Sequence, residues 1–282
     1  MKIEFYGVRG SPTPGKDTVI FGGNTSCVYV CLNDGNDVIL DAGTGIIGLG
    51  SRLFEKENSI TILLTHNHWD HIQGFPFFKP IYQPSRKISI ITGAVDFEDK
   101  DMILKQMSGS SHPVKFDQLP ADIGIDTKIT LNKRFNIPGF TVETQALNHP
   151  DGGTAYCLYA DGKKLAYVTD NELNTPTTPT TSRQQWLDFI ADADVLIHDA
   201  QYTEDDLPLK LGWGHSIFEE VGRLAREANV KTLFIISHDP ERKDDELLRE
   251  EKNYKLSTEM NYVYIAQGKV RCLIWTIQVI HD

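Results

Sequence analysis

The sequence predicts a mixed α/β fold. Short apolar or β-branched runs recur along its 282 residues, and in the second half they alternate with segments of helical character. A strand-rich first half followed by strand and helix in turn is the pattern of a sheet-based core with helices laid on it. The strands are expected at 3–8, 26–32, 38–40, 60–64, 88–92, 127–131, 140–146, 154–160 and 164–169, and then at 194–198, 232–237, 261–265 and 270–280. "SIFEEVGRLAREA" and "DDELLREEKNYKL" supply helices, and "NTPTTPTTS" (174–182) reads as a surface loop that caps the next one. No repeat and no break in composition divides the chain, so one domain over 1–282 is expected.

Composition narrows the functional classes. The start, MKIEFYGVRG, has no apolar stretch of signal-peptide type, and no run approaches the roughly 18 apolar residues of a membrane span, so a cytoplasmic location is expected. Cys27, Cys31, Cys157 and Cys272 form no CxxC pair and are expected to be reduced and buried. A net charge of −11 disfavours long nucleic acids, whose binding needs many Lys and Arg to displace counterions. Divalent metals would offset that charge locally, which leaves small anionic substrates open.

The chemistry concentrates at strand ends. "LLTHNHWDHIQGF" (63–75) places His66, His68, Asp70 and His71 directly after one apolar run. Other runs end at His149, Asp170, Asp199 and His238. Loops at strand ends form the ligand crevice of α/β architectures, so residues distant in sequence can meet at one rim. Imidazole and carboxylate are the usual ligands of zinc, manganese and iron. Two ions roughly 3.5 to 4 Å apart require more ligands than one loop supplies, which accounts for the later strand-end residues.

"THNHWDH" (65–71), with "LDAGTG" (40–45) upstream and His149, Asp170 and His238 following in order, resembles the metallo-β-lactamase superfamily. The resemblance implies a four-layer αββα sandwich with a binuclear metal site at one edge. It implies His66, His68 and His149 on one ion, Asp70, His71 and His238 on the other, and Asp170 between them, the ions being zinc or manganese. Asp70 is also the candidate to orient the attacking water. "LIHDAQY" (196–202) and "GWGHSIFEEVGRLAREANVKTLFIISHDP" (212–240) resemble the phosphodiesterase branch that includes ribonuclease Z, in which a Gly-His-Ser histidine steered by an acidic residue assists the leaving oxygen. His215 and Asp199 occupy those places here, Asp199 standing where the ribonuclease has Glu. Ser216 with Glu219 reads as a capping box for a helix over 217–229, whose N-terminus suits a substrate phosphate.

Ribonuclease Z carries a long basic arm between its third and fourth metal motifs. His149 and Asp170 are too close in this sequence to hold one, since "PDGGTAYCLYADGKKLAYV" reads as strand, tight turn and strand. "FYGVRGSPTPGKDTVIFGGNTSCVYV" (5–30) and "THNHWDHIQGFPFFKPIY" (65–82) resemble a bacterial and phage subgroup with cyclic-nucleotide phosphodiesterases, including the anti-Pycsar enzymes. The expected activity is therefore hydrolysis of a 3′,5′-cyclic nucleotide to its 5′-monophosphate, with a small anionic phosphodiester as partner, neither membrane nor long nucleic acid, and a homodimer by family analogy. The alternatives are an RNA 3′-end nuclease, a lactone or thioester hydrolase, and a di-iron redox protein. Phe75, Phe77, Phe78 and Tyr82 are placed to stack on a base or to pack the fold. Arg9, in a GxRGS turn, contacts a phosphate or a partner, or braces loops through carboxylates such as Asp41. His112 is not expected to bind metal, His198 is expected to be buried, and His281 carries no assignment.

Overall fold

The computed structural model describes residues 1–281 apart from 14, 94–100, 110, 128–129, 258–262, 269 and 274–278. Two mixed sheets stack face to face. The first contains β1 (Lys2–Gly7), β2 (Cys27–Cys31), β3 (Asp37–Leu40), β4 (Ile60–Leu64), β5 (Lys87–Thr92) and β6 (Asp122–Asp126). The second contains β7 (Arg134–Ile137), β8 (Phe140–Ala146), β9 (Thr154–Ala160), β10 (Lys163–Val168), β11 (Val195–Asp199), β12 (Thr232–Ile236) and β13 (Val263–Ile265). The last strands, β14 (Val270–Leu273) and β15 (Val279–His281), return to the first sheet, whose order is β15-β14-β1-β2-β3-β4-β5-β6. The second runs β13-β12-β11-β10-β9-β8-β7. In each sheet antiparallel pairing gives way to parallel pairing, at β3–β4 in the first and at β10–β11 in the second.

The period of two along each strand builds the layers. In β2, Val28 and Val30 enter the core between the sheets, whereas Cys27 and Tyr29 face outward beneath a helix. In β10, Leu165 and Tyr167 point inward, and Ala166 and Val168 outward. Both faces are covered, which is why these strands read as unbroken apolar runs. Helix α1 (Gly45–Leu53) lies on the first sheet, and α2 (Trp69–Ile72) and α3 (Met102–Lys105) are single turns on the same side. Helices α4 (Arg183–Ile190), α5 (Phe218–Glu227) and α6 (Asp244–Ser257) cover the second sheet. The result is the four-layer αββα arrangement, and no helix among the described residues is long and apolar enough to cross a membrane.

Three expectations change. The strand near 127–131 is displaced to β6, and residues 128–129 lie outside those described. Asp-Ile-Gly-Ile-Asp alternates correctly, but Asp and Gly are poor strand formers and hide it. Strand β7 was not expected, and the run at 270–280 divides into β14 and β15, which pair antiparallel. Cys27, Cys31 and Cys157 are free thiols, and the Cys272 and His281 side chains lie outside those described.

The loop over 174–182 ends as expected in a cap. Ser182 Oγ accepts from the Gln185 backbone N–H at 3.4 Å, and Gln185 Oε1 accepts from the Ser182 N–H at 2.9 Å. Ser182→Ala is expected to cost about 1 kcal/mol, read as an earlier thermal unfolding transition. An unchanged transition would show that packing of Trp186 and Phe189 alone fixes α4.

Candidate metal centre and its cleft

The sheet edges meet at a buried cluster of histidines and aspartates. After β4 the chain continues extended through His66 and His68, and the turn α2 then presents Asp70 and His71. Gly43 permits this packing, because a Cβ there would lie 2.2 Å from the Asp70 carbonyl oxygen. The second sheet contributes His149 after β8 and Asp170 after β10. Asp41, Asp170 and Ser237, each at a strand end, have φ of 59°, 48° and 58°. The left-handed region is uncommon outside glycine, and here it turns three polar side chains of the two sheets toward one another.

Two donor groups result. His66, His68, His149 and Asp170 offer atoms within 4.8 Å of one another, as do Asp70, His71 and Asp170. Asp170 Oδ1 accepts from Thr169 Oγ1 at 2.8 Å and from Ser237 Oγ at 3.3 Å. Its Oδ2 is left 3.2 Å from His71 Nε2 and 3.6 Å from His66 Nε2, an oxygen common to both groups. Asp70 Oδ2 lies 3.1 Å from His71 Nε2. His68 Nε2 also meets Asp151 Oδ2 at 2.9 Å on the outer rim.

The hydrogen-bond network assigns the tautomers. Asp41, fully buried, accepts from the Thr65 N–H, Thr65 Oγ1 and Tyr167 hydroxyl, and from His71 Nδ1 at 2.9 Å. Because Thr65 Oγ1 donates to Asp41, it accepts from His66 Nδ1 at 3.0 Å. His66 Nε2 is then a bare lone pair, buried, without a hydrogen-bond partner and directed at a carboxylate. A lone pair facing an anion is stabilised by a cation between them, so the residues fit a metal ion. Burial holds His66 well below the ordinary histidine pKa, and it lowers His149 to about 4. For His71 burial is outweighed by Asp70, Asp170 and Asp41, which raise it well above that value. In turn His71 holds Asp170 well below the usual carboxylate range despite its burial.

Beside the cluster, His215 Nδ1 meets Asp199 Oδ2 at 2.8 Å, and Asp199 Oδ1 accepts from the Gln201 and Ser216 N–H groups. Asp170, Asp199 and His215 form a third close group. Burial raises Asp199 to about 6, while in His215 burial is outweighed by Asp199 and Asp170, which lift it to about 9. Gly214, at φ +91°, lets the loop bearing His215 lie on His149, since a Cβ would sit 2.3 Å from the ring. Glu172 secures that loop by accepting from the Gly212 and Gly214 N–H groups. A cleft of about 390 Å³ opens over His68, Asp70, His149, Asp170 and His215, with Tyr202, Lys210 and Trp213 on its wall.

Several expected site residues lie elsewhere. His238 is not brought to the cluster: its Nε2 meets the Ala266 carbonyl at 2.8 Å and its ring stands edge-on to Phe21. The strand-end residue that reaches Asp170 is Ser237. Phe75 and Phe78 are fully buried in the core under the first sheet and do not reach the cleft. Phe77 is exposed against His112, and Tyr82 bonds the Pro76 carbonyl. Ser216 neither contacts the cleft nor caps α5, because it is buried with Oγ on the Asn171 carbonyl, and Ile217 is the N-cap. Arg9 braces loops through the carbonyls of Gly22, Asp239 and Arg242 rather than through Asp41. His198 is buried, as expected. Asp41, Lys210, Trp213 and Ser237 were not singled out as site residues, although Asp41 lies in "LDAGTG" and Trp213 in "GWGHS".

Comparison with known proteins agrees with this geometry. Residues 36–238 match the family model described as the beta-lactamase superfamily domain. The chain belongs to the metallo-β-lactamase superfamily. It is 34% identical over 291 aligned positions to ribonuclease Z of Thermoplasma volcanium, covering 85% of this chain and 88% of that protein. To ribonuclease Z of Lactiplantibacillus plantarum it is 26% identical over 273 positions, covering 83% and 86%. Among solved structures, the metallo-β-lactamase fold protein YhfI from Bacillus subtilis superposes with a TM-score of 0.70 at 18% identity, covering 96% and 99%. Zn²⁺-bound PqqB from Methylobacterium extorquens gives 0.66 at 19%, covering 97% and 100%. The chain is thus a metal-dependent hydrolase of this superfamily, distantly related to ribonuclease Z.

Replacing the buried carboxylate by its amide tests the inner scaffold. Asp41→Asn is expected to lose roughly 2–4 kcal/mol of stability and 10- to 100-fold in metal affinity. Thermal denaturation and metal titration check it, and wild-type values in both would remove Asp41 from the support of His71.

Proposed function

We propose that the protein is a dinuclear metal-dependent phosphodiesterase that opens 3′,5′-cyclic nucleotides to 5′-monophosphates. The observation that carries this reading is His215, held by the buried Asp199, on the wall of the cleft that His68, Asp70, His149 and Asp170 also line. An alkoxide leaving from phosphorus needs a proton, and an imidazole fixed through Nδ1 offers Nε2 for that transfer. His215 protonates the departing 3′ oxygen as the P–O3′ bond breaks, and Asp199 holds the ring in its tautomer and faces its charge. Asp70, only partly buried, accepts a hydrogen bond from the water whose oxygen forms the new bond to phosphorus. Bound zinc or manganese ions, held by the two donor groups, supply Lewis acidity at the phosphoryl oxygens and lower the pKa of water.

The walls support a small substrate. A volume of about 390 Å³ lies in the range of small-molecule sites. Trp213 is exposed and offers a face for a base, in the role expected of Phe75 and Phe78. Lys210 Nζ lies 4.4 Å from the centre of that ring and 5.4 Å from that of Tyr202, which puts a cation on the same wall.

The ribonuclease Z relatives favour RNA 3′-end processing as the competing reading. Against it, residues 154–168 between the His149 and Asp170 positions are spent on the β9–β10 hairpin, closed by Asp161 and Gly162 with φ of 54° and 67°, and no arm leaves there. A chromatographic assay of the zinc- or manganese-loaded protein against purine and pyrimidine cyclic nucleotides, with 3′-extended RNA alongside, is expected to give 5′-monophosphates and intact RNA. Trimming of the RNA alone would overturn the reading. His215→Ala is expected to retain its metal and lose roughly 10²- to 10⁴-fold in kcat. An unchanged rate would remove His215 from the reaction. Trp213→Ala is expected to raise KM more than it lowers kcat, and a pure kcat effect would exclude base stacking.

A further inference from the structure

We infer that the two metal positions are unequal: the one walled by His66, His68 and His149 retains its ion, and the one walled by Asp70 and His71 exchanges its ion readily. This rests on the reading of the cluster as a metal centre. The first group has three imidazoles and the shared carboxylate Asp170, a set suited to tetrahedral zinc. The second has a single imidazole, His71, with Asp70 and the same shared carboxylate. Fewer imidazoles and more oxygen favour harder ions and weaker retention.

The cause is one position at the end of β12. Ser237 occupies the place from which a side chain reaches Asp170, and it is fully buried there. Its hydroxyl is engaged with Asp170 Oδ1 and lies 3.1 Å from Thr169 Oγ1, so it acts on the shared carboxylate rather than adding a charged or imidazole donor. His238 follows it but cannot substitute by a change of rotamer alone. Its N–H bonds the Val8 carbonyl at 3.0 Å, and its own carbonyl accepts from the Gly10 N–H at 3.1 Å. These bonds fix the backbone on both sides, and the ring faces Phe21 and the Ala266 carbonyl.

The test counts metal without substrate. Protein stripped by chelation, loaded with excess zinc and passed through gel filtration is expected to retain one zinc per chain by elemental analysis. Titration with zinc and with manganese is expected to resolve a second ion weaker by roughly 10- to 100-fold, the scale on which loss of even an outer partner acts. Ser237→His is expected to raise the retained zinc from one to two per chain. His238→Gln, which keeps a donor for the Ala266 carbonyl, is expected to retain the wild-type metal content. Retention of two zinc ions with equal affinity by the native chain would overturn the inference. So would loss of one ion from His238→Gln with an unchanged melting transition. Because no turnover is measured, failure of the cyclic-nucleotide reading leaves this result standing, and an active enzyme with two equal sites refutes it.

Discussion

Everything at the centre depends on a carboxylate that touches neither cleft nor solvent. Asp41 closes β3 and receives two bonds from Thr65 at the end of β4, one from His71 and one from Tyr167 of the opposite sheet. A buried charge is costly unless every lone pair finds a donor, so this anion can exist only where the two sheets, the strand end and the histidine are all in register. It therefore works as a check on assembly. It also fixes the His71 ring through Nδ1 and, through Thr65, sets the tautomer of His66, so the Nε2 lone pair of His66 faces Asp170. A second tie, from the Tyr156 hydroxyl to the Leu64 carbonyl at 2.6 Å, holds the sheets together just behind the same loop.

That constraint explains why the histidines and aspartates collect at one edge. Each strand end supplies a polar residue at a point where pairing has stopped, and left-handed backbone at Asp41, Asp170 and Ser237 turns those side chains inward. The apolar layers behind them give the cluster a low-dielectric wall, which strengthens every charge interaction in it. His215 and Asp199 share that wall through Asp170, so the paired imidazole and carboxylate and the two donor groups face one small volume.

Much of this was legible in the sequence because it is written locally. Strands buried on both faces appear as unbroken apolar runs, and the density of "HNHWDH" leaves few structural explanations. His149, Asp170, Asp199 and His215 could be placed because each follows a recognisable strand or turn. What failed was orientation. Phe75 and Phe78 follow the metal loop by a few positions, yet a short helical turn sends both into the core and leaves Phe77 outside. Ser216 resembles a cap, but its hydroxyl is drawn to the Asn171 carbonyl, a partner 45 positions away. Trp213 and Lys210 carry no periodic signal, and only the folding of the 207–214 loop over the cleft gives them a role.

The sharpest of these failures is at the end of β12. Ser237, with φ of 58°, turns its own hydroxyl to Asp170, and the His238 ring after it faces Phe21 and the Ala266 carbonyl. Reading the histidine as the ligand is natural by residue type, since imidazole is the better donor. Direction is decided instead by what the neighbouring chain demands. Val8 and Gly10 pair with the backbone of His238, and the parallel bridge between Arg9 and His238 locks the segment against the N-terminal loop. Arg9 in turn is fully buried, with its guanidinium on the carbonyls of Gly22, Asp239 and Arg242. A loop brace from the N-terminal end of the chain thus selects which side chain turns to Asp170. Residue type alone cannot reveal that selection, because it depends on a hydrogen-bond register set by the other end of the chain.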